Sequence, residues 1–139
     1  MTRLRFAAAV LAALVASAAV AQEVVFKDPT GDDNGPGKYT YPTDGVYKAG
    51  SFDLTGFKLK ASGGKANLEV TVNSDLEDPW RMGTGFSVQM VFVFVKTGEG
   101  GHTDTLPGLN AAFAPEDAWN KVVILSPQSS GRVKTEVQQ

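Results

Sequence analysis

The chain has no cysteine among its 139 residues and a single histidine, His102. That excludes a disulfide framework, a thiol nucleophile and zinc–thiolate sites. One imidazole leaves no histidine pair for zinc, and a Ser–His–Asp triad would have to use His102. Its setting, Gly100-Gly101-His102-Thr103-Asp104, reads as a solvated loop. A basic excess is missing too. Lys and Arg total 13 against 15 Asp and Glu, a net charge of −2, which removes the electrostatic case for a nucleic-acid or anionic-membrane partner. Internal repeats, low-complexity tracts and long helical periods are also absent. What remains is 42% hydrophobic and 20% charged, the composition of a folded chain with the length of one domain.

Residues 1–21 stand apart. Arg3 and Arg5 precede the apolar stretch Phe6–Val20, and Ala19-Val20-Ala21 supplies small residues at the positions a signal peptidase requires. The segment reads as a secretory signal peptide cleaved after Ala21, leaving residues 22–139 as a single exported domain, secreted or periplasmic. No later segment is long and apolar enough to span a bilayer. An exported domain without disulfides needs another source of rigidity, and a bound metal ion is a common one.

The remainder reads as short strands between turn-rich loops. Glu23–Lys27 is a brief apolar strand, and Asp28–Gly50 a long loop rich in Gly and Pro. In Phe52–Lys60, Phe52 and Leu54 share one parity while Phe57 and Leu59 share the other. One face can hold all four only with an extra residue, so a β-bulge is expected at Thr55–Gly56. Ser62-Gly63-Gly64 is a turn, followed by a strand alternating through Ala66, Leu68, Val70 and Val72. Phe86–Val95 begins with Ser87 and Gln89 facing outward and then becomes apolar on both parities, as expected of a central strand. Pro115 starts one helical turn. Lys121–Leu125 is a strand covered on both faces, and Arg132–Val137 an edge strand. The pattern predicts an all-β, antiparallel β-sandwich.

Two groups of residues could carry chemistry. Asp28-Pro29-Thr30-Gly31-Asp32-Asp33-Asn34 places three carboxylates and an amide in one short run. Calcium takes six to eight oxygen ligands, which such a loop can supply, although the spacing is not that of an EF-hand. Turn chemistry alone accounts for the same residues. Asp53, an acid in a strand just after the long loop, either faces solvent or reaches back to the same ion. The second group is aromatic: Tyr39, Tyr41, Trp80 and Trp119. On sandwich loops these rings either stack on sugars or cap the core. Two carboxylates could in principle hydrolyse a glycosidic bond, but a domain this small rarely holds the cleft required, so no catalytic residues are assigned.

The run Asp28–Pro42, with Phe52-Asp53-Leu54, resembles the opening of the glucodextranase-like C-terminal domain, also found in amylopullulanases. Asp78-Pro79-Trp80, Gly85-Phe86-Ser87-Val88-Gln89 and Leu106-Pro107-Gly108-Leu109-Asn110-Ala111 resemble its later blocks in the same order. The resemblance implies a β-sandwich similar to family-nine carbohydrate-binding modules and the DOMON superfamily. It implies a non-catalytic role in carbohydrate binding or cell-surface attachment, with structural calcium near Asp28, Asp32, Asp33 and Asp53. The partner would be a glycan, an α-glucan or a cell-surface polysaccharide. The family domain is longer, so the sandwich is expected to be incomplete at its C-terminal side. The alternative function is an interaction module pairing through the Arg132–Val137 edge or the Val91–Val95 face.

Overall fold

The computed structural model describes residues 22–33 and 40–138. The leader, residues 1–21, and Tyr39 lie outside the described residues. The described chain is mostly β, with two small antiparallel sheets and one short helix.

The first sheet has the order β1-β2-β3, with β1 at Gln22–Lys27, β2 at Leu54–Ser62 and β3 at Lys65–Val72. β2 and β3 form a hairpin closed by Gly63 and Gly64, with Ser62 opposite Lys65. Pairing runs without a break from there to Gly56 opposite Thr71, then shifts so that Leu54 faces Val72. Thr55 is the extra residue, and the expected bulge is present. Because of it, Leu54 joins Phe57 and Leu59 on the face shared with Leu68, Val70 and Val72. β1 adds Val24 and Phe26 to that face, with the Phe26 and Phe57 rings 6.3 Å apart. Glu23, Lys58 and Lys60 occupy the opposite face, where Glu23 approaches the two lysines at 3.6 and 3.9 Å. Exposed pairs of this kind contribute at most about 1 kcal/mol.

The second sheet pairs β4, Val91–Val95, with β5, Lys121–Leu125. Here three expectations are corrected. Phe86–Met90 is not strand, and Ser87 and Gln89 are buried rather than outward-facing. Their side chains point into a polar loop cluster that strand alternation does not anticipate. β4 is one of only two strands in its sheet, not a central one. β5 alternates between half-buried and exposed residues instead of being covered on both faces. The helical turn at Pro115–Asp117 is present as a 3-10 turn.

The C-terminal segment also departs from expectation. Arg132–Val137 is not an edge strand but part of α1, Ser130–Val137. Val133 and Val137 fit a helix face as well as a strand face, being four residues apart. Local chemistry decides for the helix. Ser129 caps it by accepting from the Arg132 N–H, and Arg132 pairs with Glu136 one turn on, at 2.8 Å.

Burial is distributed in an unusual way. Among the described residues Ala118 and Pro127 are the buried apolar residues, while Ser51, Asp53, Ser87 and Gln89 are the buried polar ones. The sheets' apolar faces are half-covered. Between them runs a groove of about 440 Å³, lined in part by Val70, Val72, Leu76, Phe86, Val91 and Leu125. Among the described residues the most enclosed part is a polar cluster in the loops.

Candidate functional site

Asp53 anchors that cluster. It ends the turn Gly50–Asp53 immediately before β2, with its N–H donating to the Gly50 carbonyl at 3.1 Å. The Asn73 N–H, just past β3, donates to the Asp53 carbonyl at 2.9 Å. Gly50 makes this approach possible. Its φ is +77°, and a Cβ there would lie 2.2 Å from the Asn73 carbonyl oxygen. No L side chain fits that space or readily adopts that backbone conformation.

The Asp53 side chain is 0% exposed. Its Oδ2 accepts from the Gly31 N–H at 2.7 Å and from Asn73 Nδ2 at 3.0 Å. The first contact ties the acidic loop to the strand that begins at Leu54. Oδ1 is buried and makes no hydrogen bond among the described residues. Nor does Asp53 enter any ion pair among them. A buried carboxylate oxygen of this kind has lost hydration that nothing among the described residues replaces.

Tyr41 lies beside it. The Tyr41 Oη is buried and makes no hydrogen bond of ordinary geometry among the described residues. Burial first, and then the nearby Asp33 carboxylate, push its pKa above the usual 10.0, with a smaller contribution from Asp53. Asp33, Tyr41, Tyr47, Ala49 and Gly50 line a shallow pocket of about 330 Å³. The four aspartates Asp28, Asp32, Asp33 and Asp53 do not converge as a group of three or more carboxylates among the described residues. Asp28 and Asp32 are exposed, Asp33 is half-buried, and Asp33 and Asp53 both act on Tyr41.

From Tyr41 a line of rings crosses the loop surface. Tyr41 and Phe52 are 5.6 Å apart, Phe52 and Tyr47 5.8 Å, and Tyr47 and Trp80 6.3 Å in an edge-on arrangement. These spacings are those of favourable aromatic pairs. The line ends in open solvent, since Trp80 is 50% exposed. The loop carrying Trp80 is gripped by Asp78. Its Oδ1 accepts from the Met82 N–H at 2.8 Å and its Oδ2 from the Gly83 N–H at 2.9 Å. Those two bonds hold the Asp78 pKa below the usual 3.8. The Trp80 N–H in turn donates to Ser87 Oγ at 3.3 Å, and Ser51 O accepts from Gln89 Nε2 at 3.2 Å. The polar cluster and the aromatic line are therefore parts of one construction.

Trp119 belongs elsewhere. Its ring lies 5.1 Å from Phe94 and 5.0 Å from His102, and its Nε1 donates to the Asp104 carbonyl at 2.9 Å. His102 is exposed, but its backbone pairs with Trp119 in an isolated bridge, so it is better anchored than a free loop residue. The structure thus joins Tyr41 to Trp80 and places Trp119 in a second cluster. Sequence reasoning did not find Tyr47 or Phe52 as the rings between them, or Asn73 as a brace for Asp53. Phe52 shares its parity with Leu54, which points to a sheet face, whereas it stands in the turn before β2 and packs on the two tyrosines. Asn73, at the end of an alternating strand, carried no signal beyond its position.

Loop-borne rings beside an enclosed carboxylate on a β scaffold have the form of a β-rich binding surface. Residues 24–139 match the family described as the C-terminal binding-module, SLH-like, of glucodextranase, and the chain belongs to that family. The resemblance carried by Asp28–Pro42 and the later blocks is thereby established, and the family is a binding module rather than a catalytic domain. No curated protein sequence matches the chain. Among the described residues no helix is long and apolar enough to cross a membrane.

Proposed function

We propose that this chain is an exported, non-catalytic carbohydrate-binding module that engages an α-glucan or a cell-surface polysaccharide. The observation that carries the reading is the strip from Tyr41 through Phe52 and Tyr47 to the half-exposed Trp80, set against the pocket lined by Asp33 and Tyr41. Flat rings match the C–H faces of pyranose units, and an adjacent carboxylate accepts hydrogen bonds from sugar hydroxyls. By analogy with base stacking, each well-placed ring contributes about 1–3 kcal/mol. Trp119 is already engaged by Phe94 and His102, so the binding role is assigned to Trp80 with Tyr41, joined by Tyr47. Tyr39, two positions before Tyr41 in the sequence, is a candidate for the same role. The two sheets, one with a bulge that keeps its apolar residues on one face, support a β-sandwich of the family-nine and DOMON type. Residues 1–21 support export by signal-peptide cleavage, to the periplasm or beyond.

A structural calcium ion is part of the reading. Asp53 Oδ1 is buried, has no partner among the described residues and lies beside an oxygen-rich loop, which fits a hard cation. Asp53 and Asp33, which both act on Tyr41, would hold it, with loop carbonyls and water completing the shell; Asp28 and Asp32 do not converge with them and would reach it only if the loop closed in. Its positive charge would neutralise the buried carboxylate and fix the loop that borders the aromatic strip.

Calorimetry against soluble glucans tests the sugar reading, with micromolar to millimolar binding expected. Absence of heat across α-glucans and cell-wall polysaccharides overturns it. Melting with calcium and with chelator tests the ion, and superimposable curves overturn that part.

A further inference from the structure

Among the described residues β1 is an unpaired sheet edge. It lies outermost in the order β1-β2-β3. It contains no proline and no bulge, and no charge points toward its apolar face. Natural edges usually carry such a device or edge charges, because a bare edge templates further pairing; here the charges are Glu23 and Lys27, opposite in sign and near the two ends, so they can complement a second strand rather than only repel one. Val25 and Phe26 are 55% and 62% exposed.

The direction of its hydrogen bonds follows from the register. The Asp28 N–H donates to the Thr55 carbonyl, and the same register continues as Phe26 opposite Phe57 and Val24 opposite Leu59. In an antiparallel pair, hydrogen-bonded and non-hydrogen-bonded positions alternate. The even-numbered residues therefore bond to β2, while Glu23, Val25 and Lys27 turn their N–H and C=O groups away from the sheet.

We propose that β1 pairs with β1 of a second copy of this chain, antiparallel about a two-fold axis through Val25. In that register Val25 lies opposite Val25 of the second copy as a hydrogen-bonded pair. Glu23 lies opposite Lys27 on each side, also hydrogen-bonded through the outward groups. Val24 lies opposite Phe26 at the non-hydrogen-bonded positions, where side chains approach most closely. A two-residue shift either way sets Glu23 or Lys27 against Val25 and loses both charge pairs. A one-residue shift turns outward groups against inward ones and places apolar side chains on the polar face. The sequence Glu-Val-Val-Phe-Lys thus matches itself in reverse in one register. An isologous contact of this kind closes on itself and joins two three-stranded sheets into one of six.

Light scattering on the chain recovered after export should report twice the mass of one chain. Lys27→Glu sets acid against acid at both ends and should weaken association roughly tenfold or more. Glu23→Lys sets base against base with the same result. Mixed in equal amounts, the two variants restore opposite charges at both positions and should recover the dimer. Val25→Pro removes an outward N–H without touching the β1–β2 bonds, so it should give a folded monomer by circular dichroism. A wild-type monomer at every soluble concentration overturns the proposal. So does a dimer that survives all three substitutions, or a mixture of the charge variants that stays monomeric.

Discussion

Tyr41, Phe52, Tyr47 and Trp80 stand on loops, whereas Phe94, Phe113, Trp119 and His102 stand on or beside paired backbone. The first group is braced by side chains: Asp53 holds Gly31 and Asn73, and Asp78 holds Met82 and Gly83. The second is braced by strand β4, by the His102–Trp119 bridge and by Asn120, which accepts from the Thr97 N–H and donates to Gly100. Backbone pairing tolerates many side chains, so the second cluster can serve packing with little specialised sequence. Loops gain order only from specific polar groups. The first cluster therefore concentrates the buried polar residues, and it keeps a ring half in water. Ordering loops around a half-exposed ring adds little to stability, and it presents a surface for ligands.

Each region has one glycine that can break it. Gly50 sits at φ +77° with a hypothetical Cβ 2.2 Å from the Asn73 oxygen, and Gly101 at φ +131° with one 2.5 Å from the Trp119 oxygen. Both clashes are with backbone, so the structure must shift to relieve them. Gly50→Ala and Gly101→Ala should each cost about 3 kcal/mol in urea unfolding. The contrast is in binding. Measured where both remain folded, glucan affinity should collapse in Gly50→Ala and survive in Gly101→Ala. Equal losses would show that the two clusters form a single cooperative unit.

The ion sharpens the same contrast. At calcium one-hundredfold above its dissociation constant, linkage should raise stability by about 2.7 kcal/mol. For a domain of this size that is a melting shift of roughly 10 °C. Asp53→Asn should abolish the shift. In chelator the variant should equal or exceed wild type, because a neutral amide removes a buried charge that no cation among the described residues balances. A shift that persists in Asp53→Asn would place the ion elsewhere. The Phe94 cluster contributes no carboxylate and should be indifferent.

Single-ring truncations give a smaller effect with a sharper division. Trp80→Ala should weaken glucan binding about tenfold, the loss of one stacking contact, with little change in melting temperature. Trp119→Ala should do the reverse, costing about 2 kcal/mol of stability for a half-buried aromatic while leaving affinity within twofold. Calorimetry and thermal melts on the same two variants provide both readings.

Much of this was written in local sequence. The break in parity between Leu54 and Phe57 required a bulge, and the bulge is there. Gly63-Gly64 closed a hairpin, and Pro115 opened a helical turn. Asp53 stood out as an acid among apolar residues, and it is the fully buried carboxylate. Failures arose where distant parts of the chain decide. Ser87 and Gln89 alternate like outward strand residues, but their partners are Trp80 and Ser51, and the Ser51 contact spans 38 positions. Val133 and Val137 satisfy both periods, and a serine cap with an Arg132–Glu136 pair tipped the segment into a helix. Tyr47 and Phe52 were legible as apolar residues. Their place between Tyr41 and Trp80 follows from the turn at Gly50, whose close approach to Asn73 no local pattern records.

The smallest expected effect is the dependence on pH, and it again separates the loop cluster from the strand cluster. Tyr41 has a folded pKa above its ordinary 10.0, through burial and the Asp33 carboxylate. The folded state holds this proton more tightly, so its contribution is complete below pH 10 and is lost as pH rises toward the folded value. Asp78 has a folded pKa below 3.8, through the Met82 and Gly83 N–H groups. Its contribution is present above that value and is lost as pH falls through the folded one. The first cluster should therefore loosen at both extremes. Trp80 emission should respond in the acid limb, and Tyr41 absorbance should titrate late in the alkaline one. Asp78→Asn should remove the acid response of Trp80 while leaving that of Trp119 unchanged, which single-tryptophan variants (Trp119→Phe and Trp80→Phe) can read separately. An acid transition shared equally by both tryptophans would mean that Asp78 does not hold its loop independently of the sheets.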